Sequence, residues 1–162
     1  MVEFLESLGL SPALLIFIIS MIPLLELRGG IIVGLALGLP RAEVLAICFA
    51  GNLLPIPFVI LFGRRLLEAL GRTKLFGRAV TRYQRRLAEK SKSIQKYGPA
   101  GLALFVGIPV PGTGAWSGAL LAVLLNLRLA LVVPAILAGL VLAGMIMTFG
   151  TSGVLEIFHS AG

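Results

Sequence analysis

The stretch Pro23-Leu-Leu-Glu26-Leu-Arg28-Gly29-Gly30 interrupts residues 12–39, which are otherwise almost wholly apolar. A bilayer-spanning helix needs about 20 residues, so this segment is long for one span and short for two spans with a turn. Its proline and glycines break a helix near the middle. We therefore predict a re-entrant hairpin, in which a half-helix enters the membrane and a second half-helix returns from an unwound tip. The alternative is a single kinked transmembrane helix.

A second apolar segment is interrupted in the same way. Residues 98–127 are apolar around the break Pro109-Val-Pro111-Gly112-Thr113-Gly114. Each interrupted segment is followed by a second apolar segment, at 42–63 and at 129–150, which has the length of a spanning helix. Paired, interrupted hydrophobic segments at corresponding positions indicate a transporter-type site.

An offset of 88 aligns the two halves. It places Pro23 on Pro111 and Gly30 on Gly118, and it gives nine identities across positions 23–54. If each half is one hairpin plus one span, each half crosses the membrane once. We therefore predict that the halves lie in opposite orientation and that the two tips meet near the midplane.

The composition favours the bilayer as solvent. Hydrophobic residues make up 58% of the chain and charged residues 13%, whereas a soluble domain carries about 25% charged residues. A soluble enzyme is thereby excluded. We predict an all-α integral membrane protein with two inverted repeats, each a re-entrant helical hairpin plus a transmembrane helix, joined by a basic amphipathic helical linker. The single membrane domain, residues 1–162, would comprise repeat 1 (11–63), the linker (64–97), repeat 2 (98–150) and a tail (151–162).

The net charge of +7 is concentrated in the linker, where residues 64–96 carry eleven basic side chains against Glu68 and Glu89. By the positive-inside rule this segment is cytoplasmic, in a protein of the cell (cytoplasmic) membrane. The same rule accounts for the charge without a nucleic-acid partner. Apolar residues at helical spacing alternate with cations, so we expect an interfacial helix that turns its arginines toward anionic headgroups. A solvated topogenic linker is the alternative. The arginines concerned are Arg78, Arg82, Arg85 and Arg86.

Glu26 and Arg28 are the charges that need an explanation, because placing either in hydrocarbon costs about 2.5–3.5 kcal/mol on insertion scales. Burial favours a neutral Glu26 and a nearby arginine favours a charged one, so we expect Glu26 to exchange a proton. Arg28 offers a planar fork suited to phosphate or carboxylate. The alternative is an internal ion pair that fixes the tip.

Further polar residues are candidates for the substrate or proton pathway. Asn52 either lines the path beside Glu26 or hydrogen-bonds carbonyls freed by Pro55 and Pro57. At the second tip, Thr113 and Ser117 are candidate anion contacts, and Trp116 is an apolar wall, a stacking surface or an interfacial anchor. The predicted tip residues are Pro23, Gly29, Gly30, Pro109, Pro111, Gly112 and Gly114.

The sequence offers no basis for catalysis or for a bound cofactor. It contains no Asp and therefore no Ser/His/Asp set, and no carboxylate–histidine cluster suits a metal. We predict a protein that is not an enzyme and carries no cofactor or metal.

The motif around Glu26, the stretch Gly51-Asn52-Leu-Leu-Pro55-Ile-Pro57 and the segment from Phe105 to Gly118 together resemble the small multidrug export protein family. That family is similar to the DedA (VTT, SNARE-associated) membrane proteins, which are linked to lipid-carrier translocation, lipid scrambling and proton-dependent transport. The DedA relation implies two facing re-entrant hairpins, with Glu26 in the place of the acidic residue of the first one. The arginines that flank the second DedA tip are replaced here by Ile108 and Gly114, which leaves Arg28 as the cation of the tips.

These observations predict a transporter or lipid translocase that moves a lipid-phosphate or small charged substrate, with proton coupling through Glu26. Its partners would be the lipid bilayer, that substrate and a second copy of the chain in a dimer, which would shield polar hairpin backbone. The alternative is a non-transporting membrane scaffold that acts through the basic 64–96 helix.

Overall fold

The computed structural model describes residues 9–73, 77–110 and 112–160. Within these ranges every regular element is an α-helix, as the predicted all-α class requires. The helices are α1 (Pro12–Met21), α2 (Glu26–Ala36), α3 (Arg41–Leu53), α4 (Ile56–Gly71), α5 (Gly77–Gly107), α6 (Ala115–Leu124) and α7 (Leu129–Ser160).

Two segments are long and apolar enough to cross a membrane. They are Arg41–Gly71, which joins α3 and α4 across a break at Leu54 and Pro55, and Leu129–Gly150 within α7. Both predicted spans therefore lie in membrane-capable helices. The first continues eight residues past position 63, so the first part of the predicted linker prolongs the apolar helix.

Local sequence explains where the helices begin and break. Ser11 caps α1, with its hydroxyl accepting from the Leu14 N–H at 3.3 Å, and Pro12 takes the first helical position. Pro23 lies in the break between α1 and α2. Helix α5 is two helices joined at Gly98, whose φ of 57° and ψ of −133° are not helical and which precedes Pro99. We call the part of α5 before Gly98 the basic arm; it ends where the second interrupted apolar segment, residues 98–127, begins.

The chain divides into two compact units. The first contains the described residues up to Pro55 together with those from Leu140 onward, and the second contains Ile56–Gly139.

In the first unit α1, α2 and α3 pack against one another. A Cβ atom placed on Gly34 would lie 2.8 Å from the Val44 side chain, and one on Gly30 would lie 2.6 Å from the Cys48 Sγ. These two contacts step four residues in opposite directions, so α2 and α3 are antiparallel. Glycine is required there because any side chain would push the helices apart.

The same type of turn follows α2 in the first half and α6 in the second. Gly38 has a φ of 76°, and the Leu39 N–H donates to the Gly34 carbonyl at 3.1 Å. In the second unit Asn126 has a φ of 52°, and the Leu127 N–H donates to the Ala122 carbonyl at 2.9 Å. Each is a left-handed helix C-cap with a 6→1 hydrogen bond. All three pairs of positions are related by the offset of 88.

The helices before the tips correspond at an offset of 86. A Cβ on Gly51 would lie 2.6 Å from the Phe17 carbonyl and 3.1 Å from the Ser20 Cβ. A Cβ on Gly139 would lie 2.7 Å from the Ala103 carbonyl and 2.6 Å from the Val106 Cβ. Ser20 therefore corresponds to Val106, and the second tip is two residues longer than the first.

Candidate functional site

Glu26 is the first residue of α2, and its side chain is only 5% exposed. Its φ of 51° lies in the left-handed region, which is uncommon for a residue with a side chain, and its N–H donates to the Ile22 carbonyl at 2.8 Å. Such conformations cluster at functional sites because the surroundings must hold them in place. Burial, charge and backbone thus all single out this residue.

Arg28 lies two residues along α2, is half-buried and is attracted electrostatically by Glu26. Residues two apart on a regular helix point away from each other. The left-handed backbone at Glu26 departs from regular helical geometry at this junction. The two charges that the sequence singled out therefore interact.

Asn52 lies near the end of α3 and is completely buried. The contacts Gly34–Val44 and Gly30–Cys48 set the antiparallel register of α2 and α3, and one further turn along each helix brings Glu26 opposite Asn52. Within the described residues, neither polar atom of the Asn52 side chain has a hydrogen-bond partner. The alternative in which this amide bonds the carbonyls freed by Pro55 and Pro57 is not seen.

Ser20 also lies close to Asn52 in the first unit, because it packs against the neighbouring Gly51. The sequence alone did not identify it as a candidate. It is completely buried at the end of α1, its hydroxyl donates to the Ile16 carbonyl at 2.7 Å, and it lies against both Gly30 and Gly51. The signal was a serine in an apolar helix immediately before the break. We call Ser20, Glu26 and Asn52 the polar layer.

Two of the predicted tip glycines lie outside the unwound segment. Gly29 and Gly30 belong to the first turns of α2, so the break comprises residues 22–25 around Pro23. Gly30 serves close helix packing instead of a bend in the chain, because Ser20 and Cys48 occupy the space that a side chain would need.

The second tip, residues 108–114, contains Pro109, Gly112 and Gly114, while Pro111 lies outside the described residues. Both glycines have positive φ, 77° at Gly112 and 142° at Gly114. The Thr113 hydroxyl oxygen lies 2.8 Å from the Ile108 carbonyl oxygen and 2.7 Å from the Val110 carbonyl oxygen, and these two carbonyls share its proton. Its proton is therefore used within the tip and not offered outward.

Ser117 and Trp116 follow at the start of α6. Ser117 is buried, and its hydroxyl lies 3.1 Å from the Tyr83 hydroxyl. Trp116 is half-buried. An apolar groove of about 340 Å³ lies nearby in the same unit, running from Tyr97 to Thr113 along Leu104, Phe105 and Ile108.

The basic arm of α5 has the expected two faces. Val80 and Ile94 are buried, and the four arginines Arg78, Arg82, Arg85 and Arg86 are exposed. Arg85 pairs with Glu89 at 3.4 Å. In the part of the chain that the structure describes, no three His, Cys, Asp or Glu side chains are grouped as a metal site would require.

Comparison with known proteins gives one result. Residues 26–146, which are 121 of the 162, match the family described as "Putative small multi-drug export protein". No curated protein and no solved structure matches the chain. The match begins at Glu26, directly after the first tip, and covers the second tip, the whole of Arg41–Gly71 and most of Leu129–Gly150, so the chain belongs to the small multi-drug export protein family.

Proposed function

We propose that the protein is a membrane transporter or lipid translocase of the DedA-like type that moves a lipid-phosphate or a small charged substrate. The observation that carries this proposal is the buried Glu26, held in a left-handed conformation at a helix break and paired electrostatically with Arg28. A charged residue inside a membrane protein marks a substrate or ion pathway by default.

Helix lengths support re-entrant hairpins. Helices α1 and α2 have 10 and 11 residues, and α6 has 10. At 1.5 Å per residue each reaches about 15 Å, half of the roughly 30 Å hydrocarbon core. Two such helices around a break enter and leave from the same side. The two halves, each with one hairpin and one span, then lie in opposite orientation, with the basic arm on the cytoplasmic side of the cell membrane and a second copy shielding the hairpins.

The chemistry assigned to the site is binding and coupling, not catalysis. The Arg28 guanidinium can pair with one phosphate or carboxylate group of the substrate. Glu26 competes for the same guanidinium, so protonation of Glu26 releases Arg28 for the substrate. This competition couples substrate binding to a proton.

Lipid translocation in liposomes tests the proposal. Purified protein is reconstituted with a head-labelled fluorescent phospholipid, and the fraction quenched by a membrane-impermeant reductant is followed. Wild type is expected to raise this fraction above that of protein-free liposomes, and Glu26→Gln to return it to that level. Glu43→Gln is the matched control, because Glu43 is an exposed glutamate of the same half. Equal quenching by wild type and a folded Glu26→Gln variant would contradict the assigned mechanism.

The scaffold alternative is favoured by a separate observation, the exposure of all four arginines on the basic arm. If that arm carries the function, replacing these arginines by glutamine abolishes binding to partners or anionic vesicles while Glu26→Gln has no effect. If transport is the function, Glu26→Gln lowers translocation more than the arginine replacements do.

A further inference from the structure

We propose that the polar layer of Ser20, Glu26 and Asn52 binds one small monovalent cation of the size of Na⁺. This inference rests on the proposed function and adds to its proton a second cation, which binds at the same site. It concerns a binding event that can be measured without transport.

The Asn52 amide is a buried polar group without a partner among the described residues. The side chain is completely buried, and its Oδ1 and Nδ2 atoms have no hydrogen-bond partner in the described chain. Leaving a buried polar group unsatisfied is costly, so a residue in this state indicates a ligand or an ordered water at the site. Position 140, which corresponds to 52 in the second half, has a buried leucine, so the packing itself does not require an amide.

Several oxygen atoms belong to residues at the level of Asn52. The antiparallel register of α2 and α3, extended by one turn, places the backbones of Glu26 and Asn52 at the same level, and Ser20 lies against Gly51, the neighbour of Asn52. The Ser20 hydroxyl donates its proton to the Ile16 carbonyl and has a further hydrogen bond with the Cys48 thiol, which leaves one lone pair on its oxygen. Pro55 has no N–H, so the Gly51 carbonyl lacks its usual helical donor. Interrupted membrane helices coordinate Na⁺ and H⁺ with such carbonyls.

The charge of the polar layer suits a monovalent ion. The Glu26 carboxylate supplies a single negative charge, and the positive charge of the nearby Arg28 offsets part of it. Divalent ions such as Ca²⁺ or Mg²⁺ need more carboxylates or retained water. A monovalent ion suits a buried site with one carboxylate and several neutral oxygens. Its binding also weakens the hold of Glu26 on Arg28 and so frees the guanidinium for an anionic substrate.

Thermal unfolding of the purified full-length chain in detergent tests the inference. The Tm is measured at fixed pH and ionic strength while NaCl replaces choline chloride, with KCl as a second series. A ligand that binds only the folded state raises the Tm with its concentration. We expect a saturable rise in NaCl for wild type that is absent or at least tenfold weaker in apparent affinity for Asn52→Leu. Thr148→Val is the matched control, because Thr148 is another buried side chain whose hydroxyl has no partner among the described residues.

The outcomes separate the possibilities. A Na⁺-dependent rise that Asn52→Leu removes and Thr148→Val retains supports the site. Ser20→Ala, which should weaken the rise, replaces Asn52→Leu if that variant does not fold. The inference is overturned if wild type has the same Tm in NaCl and choline chloride, if the rise survives in both variants, or if only pH and not Na⁺ changes the Tm. In each of those cases the translocation result for Glu26→Gln stands independently and decides the proposed function.

Discussion

The two halves of the molecule share a framework and differ in what they place inside it. Both have a left-handed residue and a 6→1 hydrogen bond after the helix that follows the tip, and both pack a glycine, Gly51 or Gly139, on the backbone of the helix before the tip, α1 or α5. Yet the first half has Ser20, Glu26 and Asn52 where the second has Val106, Gly114 and Leu140. The shared framework therefore does not depend on the polar layer, so packing alone does not explain these polar residues.

The backbone conformations of the two tips support the same conclusion. Gly114 has a φ of 142°, which glycine adopts without steric cost. Glu26, at the corresponding position, has a φ of 51° and a buried charge. A glycine would relieve both penalties, so the presence of glutamate argues that its carboxylate is needed.

The largest effect is expected from breaking the shared framework in either half. Gly51→Val and Gly139→Val should each destabilise the protein by about 1–3 kcal/mol or more, because the added side chain meets backbone or a rigid Cβ. The Tm of the purified variants measures this. If one substitution were tolerated at the wild-type Tm while the other was not, the two halves would not be equivalent in packing.

A smaller effect is expected at the left-handed turn. Gly38→Ala should cost about 1 kcal/mol, because Gly38 has a φ of 76° and nothing lies within 4 Å of a Cβ placed there. Gly150→Ala is the control: this helical glycine also has open space but no positive φ, so alanine should leave the Tm unchanged or raise it. Equal Tm changes at the two sites would refute the conformational explanation.

The smallest effect is expected where the basic arm meets the second half. Tyr83→Phe and Ser117→Ala should each cost about 0.6–1 kcal/mol, since they remove one hydrogen bond with a buried partner. A double-mutant cycle on the Tm should show that the two losses are not additive. Strict additivity would mean that the hydroxyls do not interact in solution.

Sequence reasoning reached the helical membrane class because hydrophobic length and charge depend on composition. It also singled out Glu26, Arg28 and Asn52, because polar residues are rare in apolar segments. The offset of 88 was readable because nine residues are identical in the two halves, whereas the shared turn at Gly38 and Asn126 was not, because the residues differ and only their common tolerance of positive φ relates them.

Other features depend on three-dimensional packing and could not be read from the chain. Ser20 looked like one more residue of an apolar helix, and only its contact with Gly30 and Gly51 places it in the polar layer. Gly29 and Gly30 looked like part of the break, because glycine serves close helix packing as well as bends. The bond from Thr113 back to its own tip depends on a fold of the loop that spacing does not specify.

The most direct test of the central claim converts the first tip into its counterpart. Glu26→Gly supplies the residue that the second half has at position 114 and accommodates the left-handed backbone without a side chain. Translocation of head-labelled phospholipid is measured in liposomes containing equal amounts of wild type and variant, with the Tm as the check on folding. Glu26→Gly is expected to keep a Tm close to that of wild type and to lose translocation to the level of protein-free liposomes. Wild-type translocation by the folded variant would show that transport does not depend on the polar layer.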